Sequence, residues 1–196
     1  MRGYFGIGVE GISKAHNLGA VMRTAHAFGA SFAFTVAADH KLRQVNQTDT
    51  SKSNIHVPFY EWDHGDDLII PKGCDLVGIE LTDTAVDLPS FRHPLNAAYI
   101  LGPEAGSLSP HVQERCAHII KIPTKFCLNV SLAAALTLYD RTLSMGGYPA
   151  RPVRPGGGVL PAPKDWGKPS GPSRLKGGAE AAEKIRKEKS RKESAS

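Results

Sequence analysis

The feature that most constrains the fold is an alternation of short apolar runs with longer segments of helical periodicity. The apolar runs cover residues 4–9, 31–36, 76–79, 97–101 and 118–122, and turn residues flank each of them. Such runs are typical of buried strands. Between them, residues 18–28 and 128–143 place apolar side chains three to four positions apart, as an α-helix does. The alternation predicts an α/β fold with a mostly parallel sheet covered by helices on both faces.

Two predicted helices have recognisable apolar stripes. The first stripe ends before Gly29, which is a typical C-terminal stop, and the second extends over the last predicted helix. The members of the first stripe are Leu18, Val21, Met22, Ala25 and Phe28, and those of the second are Leu128, Leu132, Leu136, Tyr139 and Leu143.

The charge of the chain divides it into two parts. Residues 150–196 hold 12 Lys and Arg against 5 Asp and Glu, a net charge of +7, whereas the preceding residues hold 12 against 14. Pro and Gly become dense from residue 149 onward and apolar periodicity stops, which is typical of a solvated segment. We therefore predict a folded domain over 1–148 and a basic, disordered tail over 149–196 with a short helix near 179–192. The tail either binds RNA or only improves solubility, and the sequence favours neither reading.

Several other classes of protein are disfavoured. No apolar stretch approaches the roughly 20 residues of a membrane helix, so we expect a cytoplasmic protein. Cys74, Cys116 and Cys127 lie too far apart for a paired metal site, and no metal is expected. The polar stretch 37–56 has no clear period, and a connection of this length is often functional. It could close over a substrate.

Gly6, Gly8 and Gly11 spell the G-x-G-x-x-G pattern of dinucleotide-binding folds. In that motif a helix opens directly after the glycines, and an acidic residue about 20 positions on binds the ribose. Here the helical pattern starts only near Leu18 and no acidic residue follows at that distance. We therefore interpret Gly8 and Gly11 as turn residues at the end of the first strand rather than as a nicotinamide site.

Three segments have the residue types of a ligand site. Residues 14–30 place Asn17 where a helix N-cap is expected and Arg23 about one and a half turns later. Residues 98–110 join an apolar strand directly to a loop containing Gly102 and Glu104, and ligands bind at such strand ends in parallel sheets. Residues 122–141 place Asn129 and Ser131 at the start of the last helix, where they can cap the helix or hold a ligand. Taken singly, each segment also has an ordinary structural explanation.

Together the three segments resemble the three signature motifs of the SpoU (TrmH-like) family of SPOUT methyltransferases. The first motif is matched by Asn17, Arg23 and Gly29. The second is matched by Leu101, Gly102, Glu104 and Gly106. The third is matched by Ile122, Pro123, Leu128, Asn129, Val130 and Ser131. Cys127 departs from the pattern, because the family usually has a serine there.

The resemblance implies a parallel sheet with a C-terminal trefoil knot and a homodimer packed through the knot region. It implies S-adenosylmethionine as methyl donor, with no metal. The donor contacts carried over by position are Leu81, Gly102, Ile122, Leu128 and Ser131.

The resemblance also implies a reaction and a set of catalytic residues. The reaction is transfer of a methyl group to a ribose 2'-hydroxyl of RNA, with tRNA favoured over ribosomal RNA. The catalytic residues implied are Arg23 and Asn17, supported by Glu104 and Asn129. Because an arginine stays protonated near neutral pH, we expect Arg23 to grip a phosphate and to stabilise alkoxide character rather than to act as a base. The alternative from another class is an RNA-binding or assembly factor that does not methylate.

Overall fold

Every apolar run of the sequence forms a strand in the computed structural model, which describes residues 3–39 and 57–148. The strands are β1 (Phe5–Glu10), β2 (Phe32–Val36), β3 (Phe59–Trp62), β4 (Asp75–Ile79), β5 (Val86–Asp87), β6 (Ala97–Leu101) and β7 (His118–Lys121). The α-helices are α1 (Ala15–Phe28), α2 (Pro110–Arg115) and α3 (Val130–Ser144). Short 3₁₀ turns lie at Gly65–Asp67 and Leu88–Ser90.

The described strands form one parallel sheet in the order β3-β2-β1-β6-β4-β7-β5. The neighbouring strands β1 and β6 are buried along their whole length. This confirms the predicted α/β class and the parallel sheet. The apolar-run criterion missed β3 and β5, because β3 has exposed side chains and β5 has only two residues.

Helices cover both faces of the sheet, as predicted. Helices α1 and α3 pack together in the apolar core on one face, whereas α2 contributes Val112 to the core on the other face. Helix α1 begins at Ala15, three residues before the predicted start, so Lys14 and not Asn17 is its N-cap residue. The prediction failed because the first turn carries polar residues, which the apolar stripe did not include. Gly29 ends α1 with φ of 71°, as predicted.

The apolar stripe of α3 is not the face that enters the core. The helix buries Val130, Ala133, Ala134, Thr137, Leu138 and Arg141. The exposed fractions of Leu132, Leu136 and Tyr139 are 57%, 43% and 44%. Helix α3 therefore has two apolar faces. One packs on the sheet and α1. The other is largely exposed, although the ring of Tyr139 lies 5.3 Å from the ring of Tyr148.

The glycines of the first strand serve packing. Gly8 lies inside β1 and not in a turn, contrary to the sequence interpretation, whereas Gly11 does turn the chain with φ of 61°. A Cβ atom on Gly6 would overlap the ring of Phe32, and one on Gly8 would overlap the ring of Phe34. The two rings stack at 6.0 Å between centroids and lie across the strand. Glycine is needed here because the rings occupy the space of its missing side chain.

A buried polar cluster fixes the C-terminal half of α3 to the amino end of β6. The guanidinium of Arg141, 2% exposed, donates to the carbonyl oxygens of Pro94 at 2.6 Å and Leu95 at 2.7 Å, and to the Tyr99 hydroxyl at 3.1 Å. Its carbon also lies 4.7 Å from the centre of the Phe5 ring. These acceptors come from the segment that leads into β6, so Arg141 anchors the helix to that segment.

The same cluster continues as a chain of hydrogen bonds. Because a guanidinium only donates, the Tyr99 hydroxyl accepts from Arg141. A carboxylate only accepts, so a neutral His93 carries its proton on Nε2, which faces Asp140, and its Nδ1 accepts from the Tyr99 hydroxyl at 2.6 Å. His93 then donates through Nε2 to the Asp140 carboxylate at 3.0 Å. Burial raises the pKa of Tyr99 to about 12. Burial lowers the pKa of His93 below its usual value, although the hydrogen bond and charge of Asp140 oppose this.

Some sequence predictions concern residues outside the described ranges. They are the substrate-closing role of the stretch 37–56, of which the structure describes 37–39, and the disordered tail 149–196 with its short helix. In the described ranges, no helix has the length and apolar character needed to cross a membrane.

Candidate active site

The candidate site lies where strands β4 and β6 end side by side. Ile79 pairs with Leu101 as the last residues of these strands, so the loops that begin at Glu80 and Gly102 leave the same edge of the sheet. The start of α1 and the loop before α3 complete a cleft of about 270 Å³. The lining residues are Lys14, Asn17, Ile79, Glu80, Leu81, Leu101, Gly102, Pro103, Glu104, Gly106, Ile122, Thr124, Cys127, Leu128, Asn129, Val130 and Ala133.

The carboxylate of Glu104 binds the turn that precedes α1. Its Oε2 accepts from the backbone N–H and the hydroxyl of Ser13, at 3.1 and 2.8 Å. Its Oε1 accepts from the Lys14 N–H at 3.2 Å and from the Asn17 side-chain amide at 2.9 Å. These four donors join the second sequence motif to the first, although about 90 residues separate them in the chain.

Asn17 and Asn129 extend these contacts to the third motif. Asn17 is 3% exposed, and its Oδ1 accepts from Nδ2 of Asn129 at 3.2 Å. Oδ1 of Asn129 accepts from the Ser131 N–H at 2.9 Å and from its hydroxyl at 2.7 Å. A carboxylate at one end and a backbone N–H at the other fix both amide orientations. Asn129 also caps α3, which is one of the two roles that the sequence left open for it.

The hydrogen bonds keep Glu104 ionised. Burial raises the pKa of its carboxyl group, but the hydrogen bonds from Asn17, Ser13 and Lys14 outweigh burial and bring the pKa below its usual value. A carboxylate that already accepts four hydrogen bonds has little capacity to remove a proton from a substrate. Its geometry indicates that Glu104 positions Asn17 and the turn before α1.

Comparisons with known proteins agree with this geometry. The sequence model of the SpoU rRNA methylase family matches residues 5–139. The chain belongs to this family. The matched range includes all three hydrogen-bonded segments.

Curated relatives are similar over part of their length. A 23S rRNA (guanosine-2'-O-)-methyltransferase, RlmB, of Acinetobacter baylyi is 27% identical over 153 residues, covering 68% of this chain and 57% of the relative. A provisionally named TrmH family tRNA/rRNA methyltransferase of Staphylococcus aureus is 29% identical over 143 residues, covering 67% of this chain and 56% of the relative. The chain thus spans a little over half the length of these relatives.

Solved structures share the fold. An AdoMet-bound rRNA methyltransferase of Sinorhizobium meliloti has a TM-score of 0.63 at 20% identity, covering 73% of this chain and 57% of the other. A structure described as giving insight into 2-OH methylation of C/U34 on tRNA has a TM-score of 0.60 at 19% identity, covering 75% of this chain and 99% of the other. At these identities the similarity establishes the fold alone.

Four of the five residues expected to contact the methyl donor come together in the structure. Leu81, Gly102, Ile122 and Leu128 all line the cleft. Ser131 is bound to Asn129 and is not among the lining residues. Cys127, the departure from the motif, lines the cleft and is exposed. No group of His, Cys, Asp or Glu in the described ranges could hold a metal ion.

Of the four catalytic residues that the resemblance implies, Arg23 is the one that does not line the cleft. Its side chain is exposed on α1, and it is not among the residues that line the cleft of its own chain. Six helical residues turn about 600°, so Arg23 leaves α1 some 120° away from Asn17 around the helix axis. The spacing in the sequence identified Asn17 and Arg23 as parts of one motif. It could not show that their side chains point in different directions.

Two charged residues of the cleft, Glu80 and Lys14, are not among the site residues predicted from the sequence. Lys14 is the N-cap residue of α1, and its backbone N–H is held by Glu104. Glu80 directly follows the predicted strand 76–79, so its place at a strand end was the available signal.

Proposed function

We propose that this chain transfers a methyl group from S-adenosylmethionine to a ribose 2'-hydroxyl of RNA. The observation that carries the proposal is the hydrogen-bonded connection of Glu104, Asn17 and Asn129 beside Leu81, Gly102, Ile122 and Leu128 in one cleft. The S. meliloti structure in the same fold is described as AdoMet-bound, and the name of RlmB specifies a guanosine 2'-O position.

The residues of the cleft fit such a donor. Ile79, Leu81, Ile122 and Leu128 give apolar walls for a nucleoside, and Gly102 leaves its backbone open to a ligand. When bound, S-adenosylmethionine supplies an electrophilic methyl group on a cationic sulfur. The protein has to hold the ribose oxygen in line with that methyl group. Asn129 is exposed at the mouth of the cleft, where it can contact polar groups of the RNA, and the buried Asn17 fixes the orientation of its amide.

The assay is methyl transfer to bulk RNA followed by nucleoside analysis. Purified protein, labelled S-adenosylmethionine and RNA from cells lacking the gene are expected to give 2'-O-methylated nucleosides, and Asn17→Ala is expected to remove the product. The control is Lys72→Ala, an exposed position before β4 that does not line the cleft. A wild-type protein that binds RNA without transferring methyl groups would favour the non-catalytic assembly factor.

We propose tRNA as the substrate, with ribosomal RNA as the alternative. The tRNA assignment draws support from the structure concerned with C/U34 of tRNA, of which this chain covers 99%, whereas RlmB has an rRNA name. Mass spectrometry of tRNA and rRNA nucleosides from cells with and without the gene discriminates between them. A missing 2'-O-methyl mark in rRNA alone would reverse the assignment.

We also propose a homodimer that buries the exposed apolar face of α3. Leu132, Leu136 and Tyr139 form this face, and apolar surface of this kind is expected to be covered. Leu132→Asp together with Leu136→Asp is expected to convert dimers to monomers in analytical ultracentrifugation. Ile69→Asp is the matched control, because Ile69 is 74% exposed and lies elsewhere. A wild-type protein that sediments as a monomer contradicts the proposal.

In such a dimer we assign Arg23 to the cleft of the second copy. It lies outside the cleft of its own chain and is exposed on α1, the helix that packs against α3. There it would contact an RNA phosphate and stabilise alkoxide character on the ribose oxygen. Mixing equal amounts of inactive Arg23→Ala and inactive Glu104→Ala, after subunit exchange, is expected to restore about one quarter of wild-type activity. This number follows because half the dimers are mixed and each mixed dimer has one intact site. No recovery would place Arg23 and Glu104 in the same chain's site.

The trefoil knot and the RNA-binding role of the tail complete the proposal. The knot is proposed from the SpoU motifs, and an experimental structure that traces residues 80–129 continuously tests it. Deleting residues 150–196 is expected to raise the KM for RNA and to flatten its salt dependence, because the tail has a net charge of +7. Unchanged RNA binding after the deletion would assign the tail to solubility alone.

A further inference from the structure

Glu80 is a charged residue of the cleft to which none of the SpoU motifs assigns a role. It directly follows β4, and its own backbone is fixed by donation to the Ile120 carbonyl at 2.9 Å and by acceptance from the Thr82 N–H at 3.1 Å. Its side chain lines the cleft together with Leu81 and Gly102. These two hydrogen bonds fix the backbone from which the Glu80 carboxylate extends.

The two oxygens of Glu80 connect two different loops. Oε1 accepts from the Leu81 N–H at 3.2 Å, and Oε2 accepts from the Leu108 N–H at 2.8 Å. Leu81 belongs to the loop after β4, and Leu108 to the loop after β6. Because each carboxylate oxygen has about two acceptor sites, each one keeps a site for another donor. The plane of the carboxylate is thus fixed while part of its accepting capacity stays available.

The carboxylate lies next to the backbone that the donor is expected to touch. A Cβ atom added to Gly102 would lie 3.1 Å from Oε2 of Glu80 and 3.1 Å from the Leu108 nitrogen. Glycine at this motif position therefore leaves room for the Glu80 carboxylate and for the Leu108 N–H that donates to it. A nucleoside that contacts Gly102 comes within reach of the free acceptor sites of Glu80.

We propose that Glu80 binds the ribose hydroxyl pair of the methyl donor. This assignment deepens the proposed function and depends on it. A carboxylate at a strand end that accepts from ribose hydroxyls is a general solution for nucleotides on parallel sheets. Two adjacent hydroxyls match two oxygens held in a fixed plane. Glu104, the other carboxylate of the cleft, already accepts four hydrogen bonds and is less suited to this task.

The test uses calorimetry with S-adenosylmethionine and with its 2'-deoxyribose analogue. Glu80→Gln is expected to raise the Kd for S-adenosylmethionine by at least about tenfold, because it weakens the hydrogen bonds of two ribose hydroxyls to a charged group. The wild type is expected to lose a similar factor with the deoxy analogue. The Glu80→Gln protein is expected to bind the two ligands almost equally, and its Kd for RNA is expected to match the wild type.

Glu10→Gln is the matched control. Glu10 accepts from the Ser109 N–H at 2.8 Å, one residue beyond Leu108 in the same loop, and does not line the cleft. Thermal unfolding of both variants shows whether each folds, and Glu80→Asp, which keeps the charge but shortens the reach, serves as a second variant. Equal loss of donor affinity in Glu10→Gln and Glu80→Gln would reduce Glu80 to a loop-stabilising role and overturn the proposal.

The remaining outcomes separate this assignment from the proposed function. A wild type that binds the donor together with a Glu80→Gln variant that binds it equally well overturns the role of Glu80 alone. Equal penalties for the deoxy analogue in both proteins overturn the ribose contact. A wild type that binds no donor contradicts the proposed function, and the role of Glu80 with it.

Discussion

The two ends of helix α3 are anchored by hydrogen-bond chains of the same kind in opposite surroundings. At the N-terminal end, the chain runs from the Ser131 N–H through Asn129 and Asn17 to the Glu104 carboxylate. Towards the C-terminal end, it runs from Arg141 through Tyr99 and His93 to the Asp140 carboxylate. Each chain passes its hydrogen bonds in one direction and ends on an anion.

The surroundings determine what each chain can do. The Arg141 chain is enclosed, since Arg141, Tyr99 and His93 are at most 5% exposed, and Arg141 donates to the neighbouring carbonyls of Pro94 and Leu95. The Glu104 chain borders an open cleft and includes exposed groups such as Asn129. Under the proposed function, the same chemistry serves stability at one end of the helix and ligand positioning at the other.

The largest expected effect comes from removing the cation of the buried chain. Arg141→Leu leaves the carbonyl groups of Pro94 and Leu95 without their donors in the interior. We expect the free energy of unfolding to fall by about 3 kcal/mol or more. Denaturant titration measures it, and methyl transfer per folded molecule should be preserved. A loss of activity with unchanged stability would break the comparison.

The next effect concerns the anion of the open chain. Glu104→Gln leaves some of four donors without an acceptor and releases Asn17 and the turn before α1. We expect kcat/KM for RNA methylation to fall about 100-fold, as misplaced groups commonly cause, with a smaller change in stability. Steady-state kinetics and thermal unfolding measured on the same samples decide the matter. If Glu104 had a purely structural role, the variant would lose much stability and little kcat/KM per folded molecule.

The third effect is a pH dependence of stability from the buried chain. Because burial lowers the pKa of His93 in the folded protein, the unfolded chain binds a proton more readily. The contribution of His93 to the free energy of unfolding is therefore fully present above the unfolded pKa of about 6.5. It is lost as the pH decreases from there towards the lowered pKa of the folded protein. Thermal unfolding between pH 5 and 8 should show this slope, and His93→Gln should reduce it. An unchanged slope in the variant would assign the dependence to other groups.

The smallest effect concerns Ser131, the last residue of the hydrogen-bond chain that begins at Glu104. Ser131→Ala removes the hydroxyl that donates to Asn129 but keeps the backbone N–H that also donates to it. We expect a loss of about 0.5–1 kcal/mol in unfolding free energy and less than a threefold change in kcat/KM. A large fall in kcat/KM would instead indicate that Ser131 contacts S-adenosylmethionine, as the resemblance implies.

The sequence predicted the sheet well because its strands are short, apolar and bounded by turns. The motifs also predicted the cleft, since Glu104, Asn17 and Asn129 do meet. Other features depend on direction in space, which spacing does not encode. The apolar stripe of α3 gave no indication of which face is covered, and the position of Arg23 in the motif gave no indication that it leaves the cleft. Arg141 reads as an ordinary surface residue near a helix end, and only its acceptors in the structure explain its burial.

The glycines in and after β1 show that one sequence pattern can have unrelated physical causes. Gly6 and Gly8 keep their spacing because Phe32 and Phe34 lie across them, and Gly11 keeps its place because the chain turns there. A pattern search counts these letters as a phosphate-binding signature, although aromatic stacking and a reversal of chain direction require the same letters. Whether this pattern indicates a ligand site therefore depends on the neighbouring strand. Here β2 carries two aromatic rings beside Gly6 and Gly8, so these glycines are explained by packing and are not evidence for a bound nucleotide.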